Sequence, residues 1–373
     1  MQGLHVAHLL SSDRWTGAAE PVCNLITGLS ARGHRVRLGL IRGKSLEEHV
    51  RGLAIETIPQ LHLNRGFTPI RDLADIRTLR RLVREEGVQI VHCHLSHDHW
   101  IAGLARLAGR WPAAIVRTQH RVHEVCRGPL WSWLTDAVVF LSQSQRDRCR
   151  LPSSRTHLIR GAVDTERHHP GVSGEAVRTA LAIPSEAPVI GMVAHFKAGR
   201  GWQTAIPALI DVLSAHPTAH IILAGGHSRL VKWIRAEMGE AGHIGRTHII
   251  SDQRFAWPEV LAALDLSLWL APGSEGSGRA LLEVMATGRP VIAGDVGIAP
   301  EVVTDGVDGR IVPLGVSPHH LVEVIAQMLG DRDGLRAMGA RTRETVESQF
   351  SLSRQIDEVE RLYLSLVAQR QAG

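Results

Sequence analysis

Between Leu264 and Ala293 the sequence reads as strand, glycine turn, helix and second strand, and this order restricts the fold more than any other stretch. Residues 264–270 are a nearly continuous apolar run, the pattern of a strand buried on both faces. A Gly/Ser-rich turn follows at 271–278, then a helical spacing with Ala280, Leu281, Val284 and Met285 apolar, an exit at Gly288, and a strand from Val291. Two strands joined through a helix run parallel. The turn therefore lies at the carboxyl edge of a parallel sheet, where a helix N-terminus offers unpaired N–H groups to an anion. Glu275 stands in the turn and Glu283 about a turn and a half inside the helix. Such a pocket suits a phosphate, with one carboxylate for each of the two groups the phosphate joins.

The rest of the chain repeats this alternation twice. Short apolar strands are expected at 5–10, 36–41, 88–93, 113–118, 137–141 and 157–160, then at 189–194, 220–224, 247–250, 264–270, 291–293 and 310–313. An amphipathic helix repeats Val22, Leu25, Ile26 and Leu29 and leaves at Gly33. A basic helix around 71–86 is expected to turn Leu73, Ile76, Leu79 and Val83 inward and Arg77, Arg80, Arg81 and Arg84 outward. Polar residues rich in His, Pro and Gly at 165–185 read as a linker. The expected fold is α/β, with two Rossmann-like, doubly wound parallel-sheet domains facing a central cleft. They span 1–168 and 169–354, and a terminal helix at about 355–373 packs back on the first; 373 residues are enough for two cores.

Charge is uneven. Residues 1–170 hold 24 Lys and Arg against 15 Asp and Glu, a net of +9, while 171–373 hold 18 against 22, a net of −4. This asymmetry points to an acidic partner for the first half, such as an anionic membrane surface, or to arginines solvating exposed helices. Nucleic acid does not fit, because no basic run carries interleaved aromatics. No apolar run reaches the roughly 18–20 residues of a membrane span. The N-terminus has no basic segment ahead of its apolar residues, so no signal peptide is expected. Cys23, Cys93, Cys126 and Cys149 are scattered without metal spacing and read as buried thiols of a cytoplasmic protein.

Other glycine turns narrow the chemistry. Gly17 and Ala18 follow the first strand without G-x-G-x-x-G, so a dinucleotide fold is not supported, and no Walker-type phosphate loop occurs. His195-Phe-Lys-Ala-Gly-Arg-Gly201 sets Lys197 and Arg200 where a loop meets a helix, either a solvated basic loop or a clamp on a departing diphosphate. His92, His94, His97 and His99 cluster with Cys93 and Asp98 at a strand's carboxyl end. His92 and His94 share a strand face, and a metal is not expected. His97 suits a hydrogen bond to sugar or phosphate, and Asp98 the same or a helix cap. His120 ends another strand at the same edge. No G-x-S-x-G elbow or Cys–His pairing suggests a hydrolase.

Taken together these residues resemble glycosyltransferase family 4, enzymes of the GT-B fold that move a sugar from a nucleotide sugar to an acceptor with retention of configuration. The resemblance is carried by Pro272-Gly-Ser-Glu-Gly-Ser-Gly-Arg-Ala-Leu-Leu-Glu-Val-Met-Ala-Thr-Gly-Arg-Pro290 and continues to Pro313, with Glu275 and Glu283 at the family's E-x7-E spacing. Gly17-Ala-Ala-Glu20 resembles the acceptor loop G-G-x-E, with Ala18 in place of the second glycine. His92-Cys-His-Leu-Ser-His-Asp-His-Trp100 resembles the version seen in bacterial cell-envelope members, and Gly161-Ala-Val-Asp164 the N-G-V-D before the linker.

The resemblance implies roles. Glu283 would accept from donor ribose hydroxyls and Glu275 would contact the transferred sugar. The backbone of Gly276, Ser277, Gly278 and Arg279 would cradle the diphosphate. Lys197 and Arg200 match the paired phosphate cations, with His195 in the slot that many members fill with arginine. His120 would touch the donor sugar, Arg254 would lie in the loop past the base, and Gly17, Ala18, His97 and Asp98 would lie on the acceptor side. The implied activity is transfer of a sugar to a glycan or lipid-linked acceptor in cell-envelope polysaccharide or lipopolysaccharide synthesis. It needs no metal or other cofactor and takes place in the cytoplasm or at the inner membrane face. A GT-B nucleotide-sugar epimerase and a non-catalytic sugar-nucleotide-binding member of the fold remain open alternatives.

Overall fold

The computed structural model describes residues 3–15, 17–121, 133–226, 229–252, 254–271 and 278–372. It contains two six-stranded parallel sheets and divides into two compact units. Residues 1–162 and the C-terminal helix Leu352–Ala372 make the first, and most of 163–351 the second.

The first unit has β1 (His5–Leu10), β2 (Arg35–Leu40), β3 (Ile90–Cys93), β4 (Ala114–Gln119), β5 (Ala137–Phe140) and β6 (Thr156–Leu158), in the order β2-β1-β3-β4-β5-β6. Chain direction across the sheet reverses between β1 and β3, and ligands favour the carboxyl ends of strands at such a switch point. Strand alternation divides the core. Val6, Leu10, Ile90, Ala114 and Val116 face the helices Ala19–Ala31 and Leu352–Ala372. Ala7, Leu9, Val91, Cys93 and Ile115 form the core on the other side. The terminal helix lays Ile356, Val359, Leu362, Tyr363 and Leu366 into the first core. A Cβ on Gly28 would lie 2.1 Å from Ile356 Cδ1, so the Ile356 side chain takes the space left by the glycine.

The helix Pro69–Arg84 departs from expectation. Its buried stripe is Asp72, Asp75, Leu79, Leu82 and Val83, while Leu73 is exposed. The cause is polar. Asp75 accepts the backbone N–H groups of His62 and Leu63 at 2.8 and 3.0 Å, and Asp72 accepts that of Thr68 at 2.6 Å. Turning both aspartates inward to satisfy the preceding loop rotates Leu73 out.

The second unit has β7 (Val189–Val193), β8 (His220–Ala224), β9 (Thr247–Ile250), β10 (Leu266–Trp269), β11 (Val291–Gly294) and β12 (Arg310–Val312), in the order β12-β11-β10-β7-β8-β9. Its switch point falls between β7 and β10, so the loops leaving these two strands flank the expected ligand edge. The segment read as a linker contains the helix Glu175–Ala180, whose Val177 is fully buried in this unit's core. Polar composition hid a single apolar anchor.

Candidate active site

The loop leaving β7 ends at Gly201, with φ 86°, from which the helix Trp202–Ala215 starts. A Cβ there would lie 2.6 Å from Leu270 Cβ, so the loop crosses the end of β10 closely enough to require glycine. Trp202 is fully buried, stacks on Phe196 at 4.8 Å and donates its indole N–H to the His195 carbonyl at 3.0 Å. This tryptophan staples the loop from beneath and leaves His195 and Lys197 exposed above it.

The second helix at this edge, Arg279–Ala286, starts from Gly278, with φ 62°. A Cβ on Gly278 would lie 2.3 Å from Ile298 Cγ2. Although the residue is exposed at the surface, partial desolvation of its ring first, then the charges of Arg200, Lys197 and Arg279, hold His195 below the ordinary imidazole value. The charges of Lys197 and Arg200, ahead of the helix Trp202–Ala215, and of Arg279, first in the helix Arg279–Ala286, thus all act on one neutral imidazole. Helix dipoles and guanidinium groups act in the same sense on an anion.

Glu283 lies one turn into the second helix and is only 3% exposed. Its Oε2 accepts the indole N–H of Trp257 at 2.8 Å, and its Oε1 lies 3.6 Å from Arg279. The carboxylate is therefore aimed by a neutral donor on one side and a cation on the other. Trp257 opens the helix Trp257–Ala262 and was not singled out in the sequence. An aromatic beside Pro258 at a helix start is a weak signal for it. Arg254 is exposed, pairs with Asp252 at 3.0 Å and sits 5.6 Å over the Phe255 ring. Glu275, Gly276 and Ser277 lie outside the described residues.

In the first unit, Gly17 and Ala18 precede the helix Ala19–Ala31. Asp98 is fully buried, and its oxygens accept the backbone N–H groups of Ser11, Leu95 and His94 at 2.8, 2.7 and 3.3 Å. Burial raises its carboxyl to about 6 against these bonds. Asp98 ties the loop after β1 to the start of the helix Ser96–Leu107, the capping role. His97 lies 3.3 Å from Asp72.

His92 and His94 do share a face, and they are joined by His8, Thr118, His120 and Tyr363. His8 pairs in register with His92 across β1 and β3. His8 Nδ1 meets His94 Nε2 at 2.9 Å, and His94 Nδ1 meets His120 Nε2 at 3.1 Å. His92 Nε2 meets Thr118 Oγ1 at 2.7 Å, and its Nδ1 meets the Tyr363 hydroxyl. Tyr363 closes the chain on His8 Nε2 at 3.4 Å. Burial dominates in holding His8 and His120 down at about 3 and His92 and His94 well below the usual value. All four rings are neutral at pH 7.

The ring nitrogens of His8, His92 and His94 lie within 4.8 Å of one another, close enough to share an ion. Among the described residues no carboxylate joins them, and the charge of Arg117 bears on His92 and His94. Cys23 and Cys93 are buried thiols pushed up, the first to about 12, which suits packing rather than nucleophilic attack.

Two family models match in tandem: Glycosyltransferase Family 4 over residues 15–167 and Glycosyl transferases group 1 over residues 174–345. The chain is 28% identical over 304 residues to the GDP-mannose-dependent alpha-(1-6)-phosphatidylinositol monomannoside mannosyltransferase of Mycobacterium tuberculosis, covering 74% of this chain and 75% of that protein. It is 26% identical over 238 residues to the lipopolysaccharide core biosynthesis mannosyltransferase LpsB of Rhizobium meliloti, covering 62% and 66%. Among solved structures, a glycosyltransferase from Rickettsia africae superposes with a TM-score of 0.85 at 18% identity, covering 98% of this chain and 99% of that one. Anabaena Alr3699/HepE in complex with UDP superposes with a TM-score of 0.82 at 18% identity, covering 97% and 100%.

Proposed function

Since the chain belongs to glycosyltransferase family 4, with two Rossmann-like domains of the GT-B type, we propose that it moves a sugar from a nucleotide-diphosphate sugar to a glycan or lipid-linked acceptor of the cell envelope, with retention of configuration and without a metal. The observation that carries this reading is the buried carboxylate of Glu283, held by the Trp257 indole and beside Arg279 one turn from a helix N-terminus, with the charges of Lys197, Arg200 and Arg279 acting on His195. The relatives named above, by their descriptions a GDP-mannose-dependent phosphatidylinositol monomannoside mannosyltransferase and a lipopolysaccharide core biosynthesis mannosyltransferase, support the substrate class.

Each group has a task in this proposal. Glu283, aimed by Trp257, accepts from the donor ribose hydroxyls. The cations and the N–H groups at Gly278 and Arg279 neutralise the diphosphate as it leaves, which takes the place of a metal. Arg254 flanks the base. Glu275 contacts the transferred sugar, and sugar contact is also the role proposed for His120. The departing phosphate oxygen takes the acceptor's proton in a front-face displacement. Gly17, Ala18 and His97 belong to the acceptor side, and Asp98 holds their loop in place.

We further propose attachment to an anionic membrane face. On the helix Pro69–Arg84, Ile70 and Leu73 are 86% and 46% exposed and continue at helical spacing into Arg77, Arg81 and Arg84. An apolar first turn followed by a cationic stripe suits lying in a lipid surface. None of the described helices is long and apolar enough to cross a membrane.

A thermal-shift screen of UDP, GDP, ADP and their sugar conjugates tests the donor class. NMR of the product anomer then tests retention. Stabilisation by one nucleotide and a product of the donor's configuration are expected. No stabilisation by any of them, or an inverted product, would overturn the reading.

A further inference from the structure

Four histidines, three of them buried, and the chain's single tyrosine form one unbroken hydrogen-bonded series, Thr118–His92–Tyr363–His8–His94–His120. Its two ends, Thr118 and His120, line the same small cavity, with Pro21, Val22, His94 and Gly161. The series follows from strand alternation. His8 on β1, His92 and His94 at the end of β3, and Thr118 and His120 at the end of β4 share the face that carries Val6, Ile90 and Val116. The terminal helix covers that face and brings Tyr363 to its centre.

A neutral imidazole has one donor and one acceptor nitrogen, and a phenol has one proton to give. These counts leave two complete arrangements. If Tyr363 donates to His92 Nδ1, His92 carries its proton on Nε2 and donates to Thr118. The phenol oxygen then accepts from His8 Nε2–H, His8 Nδ1 accepts from His94 Nε2–H, and His94 Nδ1 accepts from His120 Nε2–H. If Tyr363 instead donates to His8 Nε2, every bond reverses. His8, His94, His120 and His92 then all carry their protons on Nδ1, and Thr118 donates to His92.

We propose that Thr118, His92, Tyr363, His8 and His94 act as one all-or-none tautomer selector for His120, so that Tyr363 and the three buried imidazoles are positioning residues for the group offered to the substrate. The resting arrangement is all-Nε2–H, the commoner neutral form of imidazole. In it His120 Nδ1 is an acceptor, suited to a sugar hydroxyl. In the reversed arrangement the same atom is a donor. The charge of Arg117 acts against any added proton on His92, His94 or His120, so the number of protons in the series is fixed and only their direction changes. The nearby carboxyl of Asp98 is occupied by backbone N–H groups. The contact of His120 with substrate rests on the function proposed above; the shared tautomer does not.

The test is long-range proton–nitrogen NMR on the full chain labelled with ring-15N histidine, with resonances assigned by single His→Gln variants. Four rings all protonated on Nε2 and neutral from pH 5.5 to 8 are expected. Tyr363→Phe removes the coupling proton and should give His120 a mixture of tautomers, although His94 and His8 stand between them. Leu366→Ala, a packing change on the same helix, should leave the pattern intact. Different tautomers among the four wild-type rings, or a charged ring, would overturn the proposal even if Tyr363→Phe failed to fold. So would an unchanged His120 in folded Tyr363→Phe. Wild-type transfer by His120→Ala would instead sink the catalytic reading of His120 and leave the tautomer result standing.

Discussion

The indole Nε1–H of Trp257 donates to Glu283 Oε2 at 2.8 Å, so the start of the helix Trp257–Ala262 aims a carboxylate of the helix Arg279–Ala286. Hydrogen bonds to charged groups contribute about 1.5–3 kcal/mol. Trp257→Phe keeps a ring at this place but removes the donor. Donor affinity should fall roughly 10- to 150-fold, with little change in kcat at saturating donor. Steady-state kinetics read this directly, and an unchanged KM would show that Glu283 needs no such support.

Gly201 has φ 86° and no room for a Cβ beside Leu270. A left-handed alanine costs about 1–2 kcal/mol before any clash. Gly201→Ala should lower the melting temperature by at least about 2–4 °C and weaken nucleotide binding, because the loop carrying His195, Lys197 and Arg200 must move. Calorimetric titration with the preferred nucleotide checks it; wild-type affinity would contradict the account of the loop.

The buried histidines make the first unit acid-labile. His8, His99 and His120 have folded values of about 3, below the ordinary 6.5, so the unfolded chain binds their protons first. Their contribution is complete above pH 6.5 and is lost as pH falls from 6.5 toward 3. The loss is roughly 1 kcal/mol per group between pH 6.5 and 5.5. Asp98, raised to about 6, works in the opposite sense over the same window and offsets part of one such loss. Thermal melts should therefore drop steeply below pH 6.5. A melting temperature constant from pH 8 to 5 would contradict the burial of neutral imidazoles.

In the proposed reading, Lys197, Arg200, Arg279 and a helix N-terminus take the place of a metal in neutralising the diphosphate. Transfer should proceed at the same rate in excess chelator as in added Mg2+ or Zn2+, measured as nucleotide release. A rate restored only by metal would redirect attention to His8, His92 and His94, whose ring nitrogens lie within 4.8 Å of one another.

The exposed stripe Ile70, Leu73, Arg77, Arg81, Arg84 predicts sedimentation with anionic vesicles at low salt. The double variant Ile70→Glu, Leu73→Glu should release the protein while leaving its melting temperature unchanged. Equal sedimentation of both proteins would contradict membrane attachment through this helix.

Much of this was legible in the sequence. Apolar runs located every strand of both sheets, and strand–turn–helix order placed His195, Lys197, Arg200 and Glu283 at one edge. What escaped were polar groups with distant partners. His8 looks like an ordinary strand residue until β1 pairs with β3 and sets it against His92. Tyr363 was not singled out in the sequence, since 271 residues separate it from His92. Asp72 and Asp75 turned Leu73 out of the expected buried face because their partners are backbone N–H groups in the preceding loop. Periodicity registers apolar burial, and it does not register a buried polar group whose partner lies elsewhere in the chain.

The central claim is that the carboxylate of Glu283 and the cation of Arg200 hold a nucleotide-sugar donor for transfer. The most direct measurement is donor turnover by Glu283→Ala and Arg200→Ala with the nucleotide sugar that stabilises the wild type, each variant confirmed as folded by its melting temperature. The account predicts kcat/KM lowered about 100-fold or more in each, the loss of a charge-assisted contact worth roughly 3 kcal/mol. Wild-type rates in both folded variants would contradict it.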